Sequence, residues 1–293
     1  MLICCLAASI AATVRPTISL NTGATMPAIG FGTYQLNGSE LKEALLEAIA
    51  SGSRLIDTAA GYENEHIVAE AIAESGIPRE DFFLTTKLWC TDHGGEETFD
   101  AIMSSLAQLN TEYADLYLIH APANLGETDE ETVELRLQSW RVMEELHAAG
   151  CLRAIGVSNF EPRHIEQLRL SEGSVTPAVN QIELHSYLGQ REIREYCDSR
   201  GIVVQGYGAV GAASLLEDAT VQQIATVHGR SASQVTLRHT LQRGCSALAR
   251  SVTPSRIREN LDVLDFELTF DEVNRLDELD RGQRSYWDNS NVP

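Results

Sequence analysis

RLIDTAAGYENEHIVAEAIAESG, residues 54–76, obeys three spacing rules in succession, and that succession decides the fold. Residues 54–57 form a short, mostly apolar run that ends on the carboxylate of Asp57, as a buried strand does when its last residue serves something other than packing. A turn carrying Tyr62 follows. From residue 64 to residue 75 apolar side chains return every three or four positions, which is the helical period. Gly76 then stands where a helix-ending residue of left-handed conformation is wanted. The unit is a strand, a turn and an amphipathic helix.

The same unit recurs on both sides. Strands are expected at 29–33, 54–57, 82–87, 115–120, 154–158, 178–182, 202–207 and 247–251. Helical patterns lie between them at 39–50, 64–75, 97–109, 131–150, 161–170 and 190–201, with Gly52, Gly76, Gly150 and Gly201 at helix ends. Strands alternating with helices predict an α/β chain, a single closed (β/α)8 barrel of the TIM type. The opening ISLNTGATMPAIG, residues 18–30, reads differently, as two short extended runs around Asn21, Thr22 and Gly23. This is a hairpin signal and predicts a small N-terminal β-hairpin lid over one end of the barrel. Residues 1–16 are expected to be an N-terminal extension and residues 17–293 the barrel domain. The acidic loop NLGETDEE (124–131) and the tail SYWDNSNVP (285–293) are irregular, and such segments at a barrel mouth often shape specificity.

Length agrees, since 293 residues is in the range of one barrel and 43% hydrophobic content supplies a large core. A net charge of −20 opposes nucleic acid and anionic membrane as partners and otherwise indicates mainly solubility; a small-molecule partner and a monomeric chain are expected. Cys4, Cys5, Cys90, Cys151, Cys197 and Cys245 include no C-x-x-C pair and no zinc spacing. Reduced structural thiols, no metal and a cytoplasmic location are therefore expected. The apolar start MLICCLAASIAATVRPT is shorter than the roughly 20 residues that span a bilayer and lacks a basic n-region, although organelle targeting or secretion stays open.

Four polar residues stand at or just past strand ends: Asp57, Tyr62, Lys87 in FFLTTKLW, and His120 in DLYLIHAP. The C-terminal ends of barrel strands share one mouth, so these four are expected in one pocket. A lone Asp, Lys or His there is ordinarily a core ion pair or a cap; four together point to chemistry. A tyrosine of pKa about 10 becomes a usable acid beside an ammonium, which Lys87 supplies and Asp57 orients. His120 offers a hydrogen bond to a polarised oxygen. The set suits protonation of a carbonyl oxygen, and no serine or cysteine is placed as an obvious nucleophile. The missing part is a hydride source, hence a nicotinamide cofactor.

Charge locates the cofactor. Between residues 219 and 258 there is no Asp or Glu, yet Arg230, Arg238, Arg243, Arg250, Arg256 and Arg258 fall there. Arg230 and Arg243 are expected to be solvated on helix faces, whereas Arg250 and Arg256 flank the turn after the last strand, where barrels bind phosphate. GYGAVG, residues 206–211, matches G-x-G-x-x-G. It belongs to the seventh strand unit and no acidic residue ends a following strand, so a Rossmann site is not expected. Gly208 and its neighbours instead let backbone amides approach a pyrophosphate beside Tyr207.

MPAIGFGTYQL, DTAAGYENE, TKLW, DLYLIHAP, RAIGVSNF, NQIELHSYL and RIREN, in this order over residues 18–260, resemble the signatures of the aldo-keto reductases. The resemblance implies a barrel that binds NADPH in extended form, with NADH also possible, and that places Asp57, Tyr62, Lys87 and His120 on the catalytic tetrad. It carries cofactor roles to Gly32, Thr33, Ser158, Asn159 and Gln181, and to Tyr207 as the ring stacked on nicotinamide. Ser251, Arg256, Glu259 and Asn260 fall on the adenosine and 2′-phosphate region, and Tyr34 and Trp89 on the substrate pocket. Three departures stand out: Arg250 replaces a usual lysine, Gly208, Ala209 and Val210 replace Ser-Pro-Leu, and Ser186 replaces a proline. The implied activity is NADPH-dependent reduction of aldehydes or ketones, with Tyr62 as proton donor. A catalytically weak, cofactor-binding regulatory or redox-sensing subunit is the alternative, and a metal-dependent hydrolase is disfavoured by the lack of an H-x-H or H-E-x-x-H cluster.

Overall fold

A computed structural model describes residues 16–122, 126–169 and 174–293. Residues 1–15 of the expected N-terminal extension, Cys4 and Cys5 among them, and Asn124 of the acidic loop lie outside the described residues. The chain enters through a hairpin, β1 (Thr17–Ser19) and β2 (Thr25–Pro27). It then lays down β3 (Ile29–Gly32), β4 (Leu55–Asp57), β5 (Phe83–Leu88), β6 (Leu116–Ile119), β7 (Ile155–Ser158), β8 (Val179–Glu183), β9 (Val203–Tyr207) and β10 (Ser246–Ala249). All eight pair in parallel with their sequence neighbours, and β10 returns to β3 to close the barrel. Around them run α1 (Gly38–Ala50), α2 (Glu65–Ser75), α3 (Glu96–Gln108), α4 (Asp129–Ala148), α5 (Pro162–Arg169), α6 (Arg191–Ser199), α7 (Ala213–Leu216), α8 (Ala219–His228), α9 (Ala232–Gln242), α10 (Pro254–Leu261) and α11 (Phe270–Asp277).

The (β/α)8 barrel is as expected. Several strands stop one or two residues short of the sequence reading. Near their ends the backbone leaves the ladder while single bonds persist, Thr33 N–H to the Asp57 carbonyl (3.0 Å) and His120 N–H to that of Leu88 (3.2 Å). Helix periodicity places the core: in α1 the buried residues are Leu41, Ala44, Leu45, Ala48 and Ile49, one stripe facing the strands. Gly76 ends α2 at φ 67°, which relieves the steric cost that any side chain would meet there.

The hairpin closes the floor. Leu20 and Met26 are buried in one cluster with Leu55, Phe83 and Leu116, the first residues of β4, β5 and β6, and each such side chain contributes about 1.5–3 kcal/mol. The opposite end therefore carries the mouth. The barrel interior also holds polar groups: Gln205 Nε2 donates to Ser246 Oγ (3.2 Å), and Gln205 Oε1 accepts from Gln181 Nε2 (2.7 Å).

Arg243 is not solvated as expected, whereas Arg230 stays at the surface within ion pairs. Arg230 pairs with Asp262 and Asp265, and the nearly buried Arg243 pairs with Asp277. Their partners lie beyond the acid-free stretch, so a local charge count does not see them. Ser186, in place of a proline, bonds His239 Nδ1 at 2.9 Å, and His239 Nε2 reaches Asp277 at 3.0 Å. This buried relay ties the turn after β8 to α9 and α11. Cys90, Cys151, Cys197 and Cys245 are free thiols.

Candidate active site

A cleft of about 400 Å³ opens at the C-terminal ends of the strands. Gly32, Tyr34, Asp57, Tyr62, His120, Ser158, Asn159, Gln181, Tyr207, Gly208 and Arg250 line it, from residue 32 to residue 250 of the chain. Lys87 lies beneath the lining, fully buried. Thr33 is also buried. Trp89 flanks the cleft, its ring 5.1 Å from that of His120. Ser251 follows β10, and Arg256, Glu259 and Asn260 sit on α10; none of these four is in the lining.

The tetrad forms because β4 and β5 are neighbours and Asp57 pairs in register with Thr85. Lys87, two residues further on the same face, then points at the Asp57 carboxylate. Its Nζ donates to Asp57 Oδ1 at 2.7 Å and to the Thr58 carbonyl at 2.8 Å, and approaches the Tyr62 hydroxyl at 3.5 Å. Tyr62 is delivered by the one-turn 3-10 helix Ala60–Tyr62, packed on the Trp89 ring at Gly61. A β-carbon at position 61 would fall 2.1 Å from that ring, so the close approach demands glycine. His120 Nε2 lies 3.4 Å from the Tyr62 hydroxyl, and both side chains line the cleft.

Burial pulls the Lys87 ammonium below its ordinary value, and the charge and hydrogen bond of Asp57 oppose the pull. Burial and then the Lys87 charge pull His120 well below 6.5, so its imidazole is neutral at neutral pH. Tyr62 departs from the sequence reading. Burial, followed by the Asp57 charge, pushes its phenol well above 10. The nearby ammonium does not win in the resting site, because desolvating a phenolate costs more than a 3.5 Å contact returns.

Asp57 also orders the rest of the barrel interior. Its Oδ2 accepts from Gln181 Nε2 at 2.7 Å, and the same Nε2 donates to Gln205 Oε1, so Gln181 turns Oε1 to the cleft. Asn159, in left-handed conformation at φ 63°, donates to the His120 carbonyl (2.9 Å) and to Ser158 Oγ (3.1 Å). It accepts from the Tyr207 hydroxyl at 2.7 Å. These contacts fix Ser158, Asn159, Gln181 and Tyr207 around one patch of the mouth.

Four residues of the site had no role assigned from the sequence, although the tail 285–293 was expected to shape specificity: Glu183, His185, Tyr286 and Trp287. His185, Tyr286 and Trp287 line the cleft, with Trp287 5.1 Å from the His120 ring and Tyr286 5.5 Å from that of Tyr207. Glu183 lies below, almost fully buried. Burial alone would raise its carboxyl; hydrogen bonds from His185 and from the Ser285 and Tyr286 amides outweigh it and hold the group below the usual range. Glu183 and His185 belong to the motif NQIELHSYL, but nothing local assigns them a partner 100 residues away.

The residues present fit an elongated dinucleotide phosphate. Residues 208–212 line one side of the cleft, and the left-handed φ of Gly208 (63°) turns the chain there. No helix of Rossmann length follows, since α7 spans only Ala213–Leu216 and the sheet is closed. Of the six arginines, Arg230, Arg238, Arg243 and Arg258 are held by Asp262 and Asp265, Glu267, Asp277 and Glu47 respectively. Arg250 donates to the Tyr34 carbonyl at 2.8 Å, and the exposed Arg256 has no ion pair among the described residues. Thr253 makes no side-chain cap on α10, which leaves first-turn amides beside Arg256 for an anion. Among the described residues no group of three His, Cys, Asp or Glu is arranged to hold a metal, and no helix is long and apolar enough to cross a membrane.

The model of the Aldo/keto reductase family matches residues 28–281. An aldo-keto reductase from Mycolicibacterium vanbaalenii is 45% identical, over 92% of this chain and 94% of that protein. The glyoxal reductase of Bacillus subtilis is 40% identical, over 92% and 95%. Among solved structures, an aldo/keto reductase from Brucella melitensis superposes with a TM-score of 0.85 at 41% identity, covering 91% of this chain and all of that one. A family match over most of the chain and a closed barrel shared with the solved relatives lead to one conclusion: the chain belongs to the aldo-keto reductase family and is an NAD(P)H-dependent oxidoreductase acting on carbonyl groups.

Proposed function

We propose that this protein reduces aldehydes or ketones with NADPH and that Tyr62 delivers the proton. The observation that carries the reading is the Tyr62 hydroxyl, set between Lys87 Nζ at 3.5 Å and His120 Nε2 at 3.4 Å beside an open cleft. When bound, NADPH supplies the hydride to the carbonyl carbon. The chain's own residues handle the oxygen. Tyr62 keeps its proton at rest because burial disfavours phenolate. As the carbonyl oxygen gains negative charge, the proton moves to it and Lys87 neutralises the phenolate left behind. His120, a neutral imidazole, is a poor acid at neutral pH and serves by donating a hydrogen bond to the same oxygen. Both long contacts at Tyr62 are of the kind that tighten when a substrate is seated.

Gln181, Ser158 and Asn159 are assigned to the nicotinamide carboxamide, with Tyr207 against the ring, Gly32 and Thr33 beside it, and Gly208 at the pyrophosphate. Arg250, Ser251, Arg256, Glu259 and Asn260 are assigned to the adenosine end, with Arg256, which has no ion pair among the described residues, on the 2′-phosphate. Tyr34 and Trp89 are assigned to the substrate side. The test is NADPH oxidation with a panel of small and aromatic aldehydes. Turnover is the expected result; tight NADPH binding with no turnover of any carbonyl would instead favour a regulatory subunit.

A further inference from the structure

We propose that Glu183 is a positioning residue, a buried clasp that fixes the C-terminal tail over the cleft and so limits the size of carbonyl compound admitted. This rests on the reductase reading above. Glu183 Oε1 accepts from the Ser285 amide at 2.8 Å, and Oε2 from the Tyr286 amide at 3.2 Å. Two successive backbone donors on one carboxylate is an anion-binding arrangement with the anion supplied by the barrel. His185 Nε2 holds Oε1 at 3.1 Å, so the carboxylate has no freedom to follow the tail if the tail moves.

The tail is gripped at both ends by other groups. The Gln283 amide donates to the Tyr187 carbonyl at 3.0 Å, and Arg163 reaches the carbonyls of Ser290 and Val292 at 2.7 Å each. Between these grips, Glu183 makes the hydrogen bonds that join the backbone of residues 285–287 to the barrel among the described residues. Those residues carry the two rings that enter the cleft. Trp287 lies against His120 at 5.1 Å and Trp89 at 5.9 Å, while Tyr286 stands over Tyr207 and Tyr34. Trp287 thus occupies space beside the proposed carbonyl-binding imidazole. A substituent larger than the remaining gap requires the tail to shift. A side chain at position 208 would also push it away, since a β-carbon there would fall 3.2 Å from the Tyr286 ring.

The test uses Glu183→Gln, which keeps shape but sets an amide N–H2 against one of the two tail donors. Ser285→Pro removes one donor and leaves Glu183 untouched. Chymotrypsin cleavage after Tyr286 or Trp287, the two rings held in the cleft, reads tail release without any assay of activity. Both variants are expected to be nicked about tenfold faster than wild type, the scale of one lost charge-assisted hydrogen bond. Their kcat/KM for 2-naphthaldehyde relative to propanal is expected to rise by a similar factor. The double variant should be no worse than either single one, because both break the same contact. Unchanged nicking in Ser285→Pro and in folded Glu183→Gln overturns the clasp, and additive effects overturn its site. Faster nicking with an unchanged substrate ratio overturns the size limit. If wild type reduces no carbonyl, the reductase reading fails, while nicking still decides whether Glu183 holds the tail.

Discussion

Asp57→Asn tests the electrostatic frame of the site more sharply than a truncation would. Asp57 receives donors on both oxygens, Lys87 Nζ on Oδ1 and Gln181 Nε2 on Oδ2, each at 2.7 Å. An asparagine of the same shape has one acceptor oxygen. Whichever way its amide turns, an N–H2 faces either a buried ammonium or a buried amide donor. The site is dry, with Asp57 3% and Lys87 0% exposed, so water does not relieve the conflict. Removing one partner of a buried pair costs about 3–5 kcal/mol; the retained oxygen and the Thr58 carbonyl place this case near 3 kcal/mol, or roughly 100-fold in the folding constant. Urea unfolding at pH 7 measures it, with an unchanged slope and a lower midpoint. Lys87, left without its counter-charge, is easier to deprotonate in the folded state than in the unfolded chain. The deficit should therefore narrow as pH rises toward about 10, because the unfolded state binds the extra proton. A loss under about 1 kcal/mol, or a deficit that does not change with pH, would refute the claim that this carboxylate sustains a buried charge.

Three further outcomes follow from other parts of the structure. Arg256→Ala should weaken NADPH by about 1.5–3 kcal/mol and leave NADH unchanged in fluorescence titrations, whereas Arg258→Ala, whose guanidinium pairs with Glu47, should alter neither; equal effects on both cofactors would remove Arg256 from the 2′-phosphate. Ser186→Ala breaks a buried bond to His239 and should cost about 1–3 kcal/mol in urea unfolding, with kcat unchanged. His93, His164 and His239 are each pulled down to about 4, chiefly by burial. The unfolded chain thus takes up their protons first, near its ordinary value of about 6.5, so stability is full above that pH and is lost on acidification toward 4, by up to about 1.4 kcal/mol per pH unit per histidine. A urea midpoint that stays constant between pH 7 and pH 4.5 would contradict this.

The barrel was legible because its signal is local and repeated: eight apolar runs with helix-period segments between them need no knowledge of distant contacts. The tetrad was legible for a related reason, since parallel strands bring their C-terminal ends to one mouth wherever they lie in sequence. The role of Glu183 was not, and the tail with Tyr286 and Trp287 was read only as a segment that shapes specificity, without its contacts. The tail has no period, and its place depends on two amide bonds to a carboxylate about 100 residues earlier. Arg243 was misread for the converse reason, as its partner Asp277 lies 34 residues downstream in α11. The Tyr62 shift was misread because charge placement is visible in a sequence, while the desolvation that outweighs it is a property of the packed site.

The central claim is that the Tyr62 hydroxyl carries the proton while other residues hold the cofactor. Tyr62→Phe removes that hydroxyl and keeps the ring against Tyr34, 5.0 Å away, and against His120. Steady-state turnover of a good aldehyde, measured beside NADPH affinity on the same preparation, separates the two roles. The expected result is a fall in kcat of about 10² to 10⁴, the usual worth of a positioned general acid, with NADPH affinity within a few-fold of wild type. A fall of less than about tenfold would contradict the assignment and turn attention to His120.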